Sequence, residues 1–305
     1  MKKLRIIPLL IIVLFSLALL AGCKKAPESA QNHSIVVTDM KGREIALDAP
    51  AEKIVTLTAA DCEIVYALGA GDKVVGRGEY CDYPEEVFSV PAVQSGGDTN
   101  IEQIISLSPQ VVIMSTMAQT DEQIEALEKA GIKVVVTEAP DIESTYGAIK
   151  LIGTVVGKDE EAANLISSMK KAFSDFSSKA TDKGTKTVYY EISPLEYGLW
   201  TAGQGTFMNE LGSLIGLVNI FADVEGWAEI SQEQVIQRNP DYIITSVMSF
   251  GDGPTPIEEI INRPGWQDIT AVKNESILNV DSYEMIRPGP RLVNAIEELY
   301  SFIYE

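Results

Sequence analysis

Two acids in this chain share one context. Glu102-Gln103-Ile104-Ile105, followed by Pro109 and Val111-Val112-Ile113, matches Glu233-Gln234-Val235-Ile236, followed by Pro240 and Tyr242-Ile243-Ile244. Both copies read E-Q-[I/V]-I-x-x-[S/N]-P, at a constant offset of 131 residues. Each acid falls in the first turn of a short helix, where unpaired N–H groups favour the charged carboxylate. Both therefore read as ionised groups and as poor candidates for a proton donor with a raised pKa. A repeat of this length implies two similar lobes.

Little else offers covalent or acid–base chemistry. The one histidine, His33, lies in a polar stretch near the start, so no Ser-His-Asp or Cys-His arrangement is available further along. A Zn or Mn site would need His, Cys or clustered carboxylates at ligand spacing, which the chain does not supply. No metal and no cofactor is expected. Gly203-Gln204-Gly205 follows a strand and opens a helix, as a phosphate loop would. It lacks the G-K-[S/T] run and reads as turn geometry. With 44 Asp and Glu, a pair of catalytic carboxylates stays open as the enzymatic alternative, an exported carboxylate-dependent hydrolase. Binding is the preferred class, and the protein is not expected to be an enzyme.

The start of the chain carries an address. Lys2, Lys3 and Arg5 precede an apolar run, Ile6 to Leu20, and then Leu20-Ala21-Gly22-Cys23. A basic region, an apolar region and small residues at the cut make a secretory signal over residues 1–22. Leu-Ala-Gly-Cys is similar to a bacterial lipobox, which implies lipid on Cys23 and anchorage to a membrane surface outside the cytoplasm. The competing reading is an uncleaved membrane anchor. Residues 23–34 are polar and read as a tether. About 280 residues then remain, enough for two domains of ordinary size.

Net charge is −20, and loss of Lys2, Lys3 and Arg5 makes it −23. That argues against nucleic acid as a partner, because phosphate-binding surfaces are basic. In an exported chain, Cys62 and Cys81 read as a disulfide. Closing that loop would stabilise the fold by about 3 kcal/mol in the chain-entropy model.

The elements that must position these groups alternate. Strands are expected at Ile54 to Leu57, Lys73 to Gly76, Val111 to Met114 and Val134 to Val136, with helices between them. After Gly184 the plan returns with strands at Thr187 to Ile192 and Asp241 to Thr245. Alternation of this kind implies parallel α/β sheets. Between the halves, Asp159 to Ala180 has apolar residues at Ala162, Leu165, Ile166, Met169, Phe173 and Phe176, the spacing of one helical face. The expected organisation is an N-terminal lobe at 35–157, an inter-lobe helix at 158–181 and a C-terminal lobe at 182–305. The fold class is α/β: two Rossmann-like lobes with central parallel sheets, one long connecting α-helix, and a cleft between the lobes.

Several segments resemble the substrate-binding proteins of ABC importers for iron chelates and vitamin B12, of the class III periplasmic-binding-protein fold. They are Val37-Thr38-Asp39 with Gly42-Arg43-Glu44, Ile54-Val55-Thr56-Leu57, Ala67 to Asp72, Val74-Val75-Gly76, Glu210-Leu211, Asn219-Ile220-Phe221 and Arg287-Pro288-Gly289-Pro290-Arg291. Together they span nearly everything after the tether. The resemblance implies a ligand held between lobes that move little, because a helix does not bend like a hinge strand. It implies that Glu102 and Glu233 are docking carboxylates for arginines of a permease dimer with its ATPase. The bland alternative for each is an ordinary first-turn acid.

Ligands of open α/β sheets lie beyond the carboxyl ends of the strands. The loops there carry Tyr80, Trp200, Trp227, Tyr283 and Arg287, the expected ligand-binding residues. Tyr80 and Trp227 sit where the resemblance puts pocket aromatics. Tyr83 reads as packing beside Pro84, Tyr190 equally as core, and Arg287 as a partner for an anionic chelate or for a nearby acid. Aromatic faces suit a corrinoid such as cobalamin, haem or a ferric siderophore. The chain is expected to act as a monomer. The other binding class is a sensing or adhesion lipoprotein without a permease, which neighbouring permease and ATPase genes would separate from an importer component.

Overall fold

The computed structural model describes residues 35–116, 119–181, 183–248 and 253–305. The signal segment, Cys23, the tether and His33 lie outside the described residues. Among those described, no helix is long and apolar enough to cross a membrane.

The chain enters through a hairpin, β1 (Ile35–Thr38) against β2 (Glu44–Leu47), turned at Gly42 with φ 79°. Its partner is the five-stranded N-terminal sheet. Strand β3 (Ile54–Thr56) lies at the centre, between β4 (Val74–Gly78) and β6 (Val111–Ser115). The short β5 (Ala92–Val93) and β7 (Lys133–Thr137) are the edges, and every pairing is parallel. Ile54, Val55, Val111 and Val112 are all fully buried, as expected of parallel strands covered on both faces. Helices α1 (Ala59–Ala67), α2 (Ile101–Ser106), α3 (Asp121–Lys129) and α4 (Ile142–Val156) alternate with these strands and then lead out of the lobe.

Helix α4 stops at Gly157, held at φ 72°, the left-handed conformation that Gly takes most cheaply. A second close approach follows at once. A Cβ on Gly153 would lie 2.6 Å from the Ala162 Cβ, so only Gly lets α4 meet the next helix here. That helix, α5 (Asp159–Ala180), has the bounds its periodicity predicts. Its 22 residues span about 33 Å. It turns Ala162, Met169, Phe173 and Ala180 inward, and it packs on α4 from one lobe and on α6 (Phe207–Leu214) and α11 (Leu292–Tyr304) from the other.

The C-terminal sheet has order β10-β8-β12-β13, built from β8 (Lys186–Glu191), β10 (Leu217–Asn219), β12 (Tyr242–Thr245) and β13 (Ile277–Asn279), all parallel. Beside it stands a separate antiparallel ribbon, β9 (Leu199–Ala202) with β11 (Trp227–Ile230), which sequence patterning did not reveal. Helices α7 (Gln232–Arg238), α8 (Pro256–Ile261), α9 (Thr270–Lys273) and α10 (Ser282–Met285) complete the lobe.

One apolar cluster runs across both lobes, from Ile54, Ile149 and Val155 through Met169 and Phe173 to Leu211, Leu299 and Ile303. Residues 35–305 accordingly form one compact unit. Tyr190, open to either reading from sequence, is core, 1% exposed.

Candidate ligand cleft and docking helices

The loop after β4 carries Tyr80 and is shaped from beneath. Arg77 is buried and donates to the carbonyls of Gly78 (3.3 Å), Glu79 (3.4 Å) and Cys81 (2.9 Å), so one guanidinium curls the loop around itself. A Cβ on Gly78 would lie 2.4 Å from the Leu57 carbonyl oxygen, which brings this loop against the end of β3. The result leaves the Tyr80 side chain 70% exposed.

Across from it, Arg287 behaves differently from a ligand-facing cation. Its Nη1 donates to Glu63 Oε1 (2.9 Å) and Asp82 Oδ1 (2.6 Å), and its Nη2 to Asp82 Oδ2 (3.2 Å) and the Tyr80 carbonyl (3.4 Å). Burial draws the guanidinium pKa down, and the bonds to Asp82 and Glu63 outweigh it, so the net shift is upward. Arg291 supplies Nε and Nη2 to the same Glu63 (2.9 and 2.7 Å). Arg287 also lies 4.1 Å from the Tyr283 ring, and Arg291 4.3 Å from the Tyr83 ring. Two arginines of the C-terminal lobe thus clasp two acids of the N-terminal lobe. Of the two partners the sequence offers Arg287, an anionic chelate or an acid of the protein, the structure shows acids, Glu63 and Asp82, with a further bond to the Tyr80 carbonyl.

At the side of α5 the lobes also meet. Ile142 N–H, first in α4, donates to Glu210 Oε2 (2.8 Å), and Phe207 N–H donates to the Pro140 carbonyl (2.9 Å).

The ribbon carries the other two expected ligand residues. Its register sets Trp200 opposite Glu229 and Trp227 opposite Ala202. Directly opposed residues, and residues two apart, share a face, so Trp200 and Trp227 are diagonal neighbours on one side of it. Trp227 packs edge-on against Phe207, ring centroids 5.6 Å apart, while Trp200 is 39% exposed. Gly203 lets the segment after β9 come close to the segment before β11: a Cβ there would lie 2.2 Å from the Val224 carbonyl oxygen. This close approach of backbone to backbone is the role of the Gly203-Gln204-Gly205 run. The third tryptophan, Trp266, is fully buried. The site residues therefore form two groups, Tyr80, Tyr283 and Arg287 in one and Trp200 and Trp227 in the other.

Cys62 and Cys81 are adjacent but carry free thiols in the structure, so the expected disulfide is not formed there. Beside them Asp61 is buried, with its carboxylate accepting from the hydroxyls of Thr58 and of Thr137 (3.0 Å). Burial pushes it up to about 6, against the partial opposition of those two bonds. Among the described residues, no group of three or more His, Cys, Asp and Glu is arranged to hold a metal ion.

The matched acids occupy matched structure. Glu102 is the second residue of α2, capped by Asn100, whose side chain accepts from Gln103 N–H. Glu233 is the second residue of α7, capped by Ser231, whose hydroxyl accepts from Gln234 N–H. Both acids are exposed, and the inward residues Ile104 and Val235 are both 0% exposed. Its own backbone N–H and the Ser231 hydroxyl hold Glu233 below the usual carboxylate range. Each helix ends in a non-Gly left-handed residue, Ser108 (φ 51°) and Asn239 (φ 43°), before a Pro and a buried parallel strand. The repeat of the sequence is a repeat of backbone conformation.

Against known proteins, a family model described as periplasmic binding protein matches residues 54–284. The chain belongs to the periplasmic binding protein family. Members of this family bind solutes. This periplasmic binding protein is 35% identical over 308 residues to the ABC transporter substrate-binding lipoprotein YvrC of Bacillus subtilis, covering 96% of this chain and 95% of that one. It is 27% identical over 261 residues to a vitamin B12-binding protein of Vibrio cholerae, covering 85% and 91%. Among solved structures, it matches a protein of Staphylococcus epidermidis described as a possible iron-binding, periplasmic solute-binding protein. That match has a TM-score of 0.71 at 29% identity and covers 84% of this chain and 99% of that one.

Proposed function

We propose that this periplasmic binding protein captures a metal chelate between its lobes, outside the cytoplasm, and delivers it to an ABC permease. The chelate class is a corrinoid, haem or a ferric siderophore. The observation that carries the reading is a set of aromatic side chains at the surface of both lobes: Tyr80 and Tyr283, exposed beyond the carboxyl ends of two parallel sheets, and exposed Trp200 with half-buried Trp227 on one face of the adjoining ribbon. Flat or bulky chelates present large apolar area with few polar groups, which such faces bury well. Lipid on Cys23 holds the protein at the membrane, and Glu102 and Glu233 meet cations of the two permease halves. The protein acts as a monomer.

The deciding experiment is titration of the purified chain with cyanocobalamin, haem and a panel of ferric siderophores, read by visible absorption and tryptophan fluorescence. Saturable binding of one class is expected. Absence of binding to all of them would end the metal-chelate reading.

A further inference from the structure

Arg287 is held by two carboxylates, and each of them follows a cysteine in sequence. Glu63 follows Cys62 on α1, and Asp82 follows Cys81 on the loop beyond β4. One guanidinium nitrogen, Arg287 Nη1, reaches Glu63 Oε1 at 2.9 Å and Asp82 Oδ1 at 2.6 Å, so the two carboxylates must lie within a few ångströms of each other. Two like charges this close repel, and the guanidinium between them offsets that repulsion only while both carboxylates stay within its reach. Besides Arg287, the cysteine pair also packs α1 against that loop. Both are buried, 0% and 1% exposed, and pack together in a small apolar cluster with Val87 and Tyr66. The Cys81 thiol also lies 3.8 Å from the Thr56 carbonyl at the end of β3.

We infer that Cys62 and Cys81 are a disulfide site whose closure locks Glu63 and Asp82 into one two-carboxylate acceptor for Arg287, coupling thiol oxidation to the attachment between the lobes. The step is thiol–disulfide exchange with a small-molecule or protein disulfide as oxidant. One cysteine, as thiolate, attacks the oxidant disulfide, whose S–S bond breaks and releases one thiol. The second cysteine thiolate then attacks the cysteine sulfur of this mixed disulfide and releases the other thiol. Two electrons pass from the cysteine sulfurs to the oxidant, and the two protons end on the released thiols. Because both sulfurs are buried in the folded chain, the exchange takes place before the loop closes over them.

The test needs neither ligand nor permease, so its failure is separable from failure of the proposed function. The full chain, produced by export into an oxidising compartment, is alkylated in denaturant and mapped at Cys62 and Cys81. Both should be unalkylated until a phosphine reductant is added. Hydrogen exchange is then followed over residues 283–292 in oxidised chain, reduced chain and the Cys62→Ser/Cys81→Ser variant. Loss of the bond should speed exchange there about tenfold through easier local opening. In an Arg287→Met background, exchange should already be fast and indifferent to the bond. Alkylation of both cysteines without reductant would overturn the site. Equal exchange with and without the bond, or an equal effect of the bond in Arg287→Met, would overturn the coupling.

Discussion

Ser108 and Asn239 hold the same left-handed backbone position at the end of two matched helices, 131 residues apart. The left-handed region costs a residue with a Cβ about 1–2 kcal/mol. Asn lowers that cost through local hydrogen bonding, and here Asn239 Oδ1 also accepts from Thr270 N–H at 2.7 Å. Ser108→Gly should therefore raise stability by about 0.5–1 kcal/mol. Asn239→Gly should show no gain, because it loses that bond. Chemical denaturation of the two variants checks the contrast.

Glu63 is 3% exposed and receives Arg287 and Arg291 together. Replacing it with Gln leaves the buried Arg287 and the half-buried Arg291 short of opposite charge. Removing one partner of a buried pair typically costs about 3–5 kcal/mol. Glu63→Gln should lie near that range by denaturant midpoint. A surface control, Lys129→Gln, breaks an exposed pair with Glu125 and should cost less than about 1 kcal/mol.

Asp61 gives the fold a pH dependence of known sign. Its pKa is about 6 when folded and 3.8 in the free side chain, so the folded state binds the proton more tightly. That contribution is fully present below pH 3.8 and is lost as pH rises through about 6. Asp61→Asn keeps an acceptor for Thr58 and Thr137 without the buried charge. It should stabilise the protein at pH 7.5 by roughly 1–3 kcal/mol and flatten the stability profile between pH 4 and 6. Thermal melts across that window are the measurement.

Docking and capture should separate. Glu102→Ala and Glu233→Ala should each reduce chelate uptake by whole cells, and the double variant should abolish it. Chelate affinity of the purified variants should stay within about twofold of the parent, since both acids are exposed in the first turns of their helices and free to meet a partner. Loss of affinity would show that the docking surface has been misplaced.

The three tryptophans divide the fluorescence. Trp200 and Trp227 share one face of the ribbon, and Trp266 is fully buried. Quenching by cyanocobalamin or another bound chelate should fall by more than half in Trp200→Phe/Trp227→Phe. In Trp266→Phe the fractional quenching should rise instead.

The connecting helix and the two lobes were legible because their signals are local or repetitive. Helix α5 announces itself through apolar spacing within 22 residues, and the lobes through a repeated octet. An acid partner for Arg287 was one of two readings, but its identity was not legible, since Glu63 lies 224 residues away and no spacing rule connects them. The ribbon was missed for a related reason: β9 and β11 are four residues each and find one another only across a glycine-rich excursion. Trp227 consequently looked like a loop residue and is a strand residue. The cysteine pair was legible as a neighbourhood, and the structure presents it as two thiols.

The apolar interior that passes beneath α5 makes the lobes thermodynamically inseparable. Melting either one alone would expose Met169 and Phe173, which also line the interior of the other. Heat should therefore unfold residues 35–305 in a single calorimetric transition, with the lobes behaving as halves of one cooperative unit.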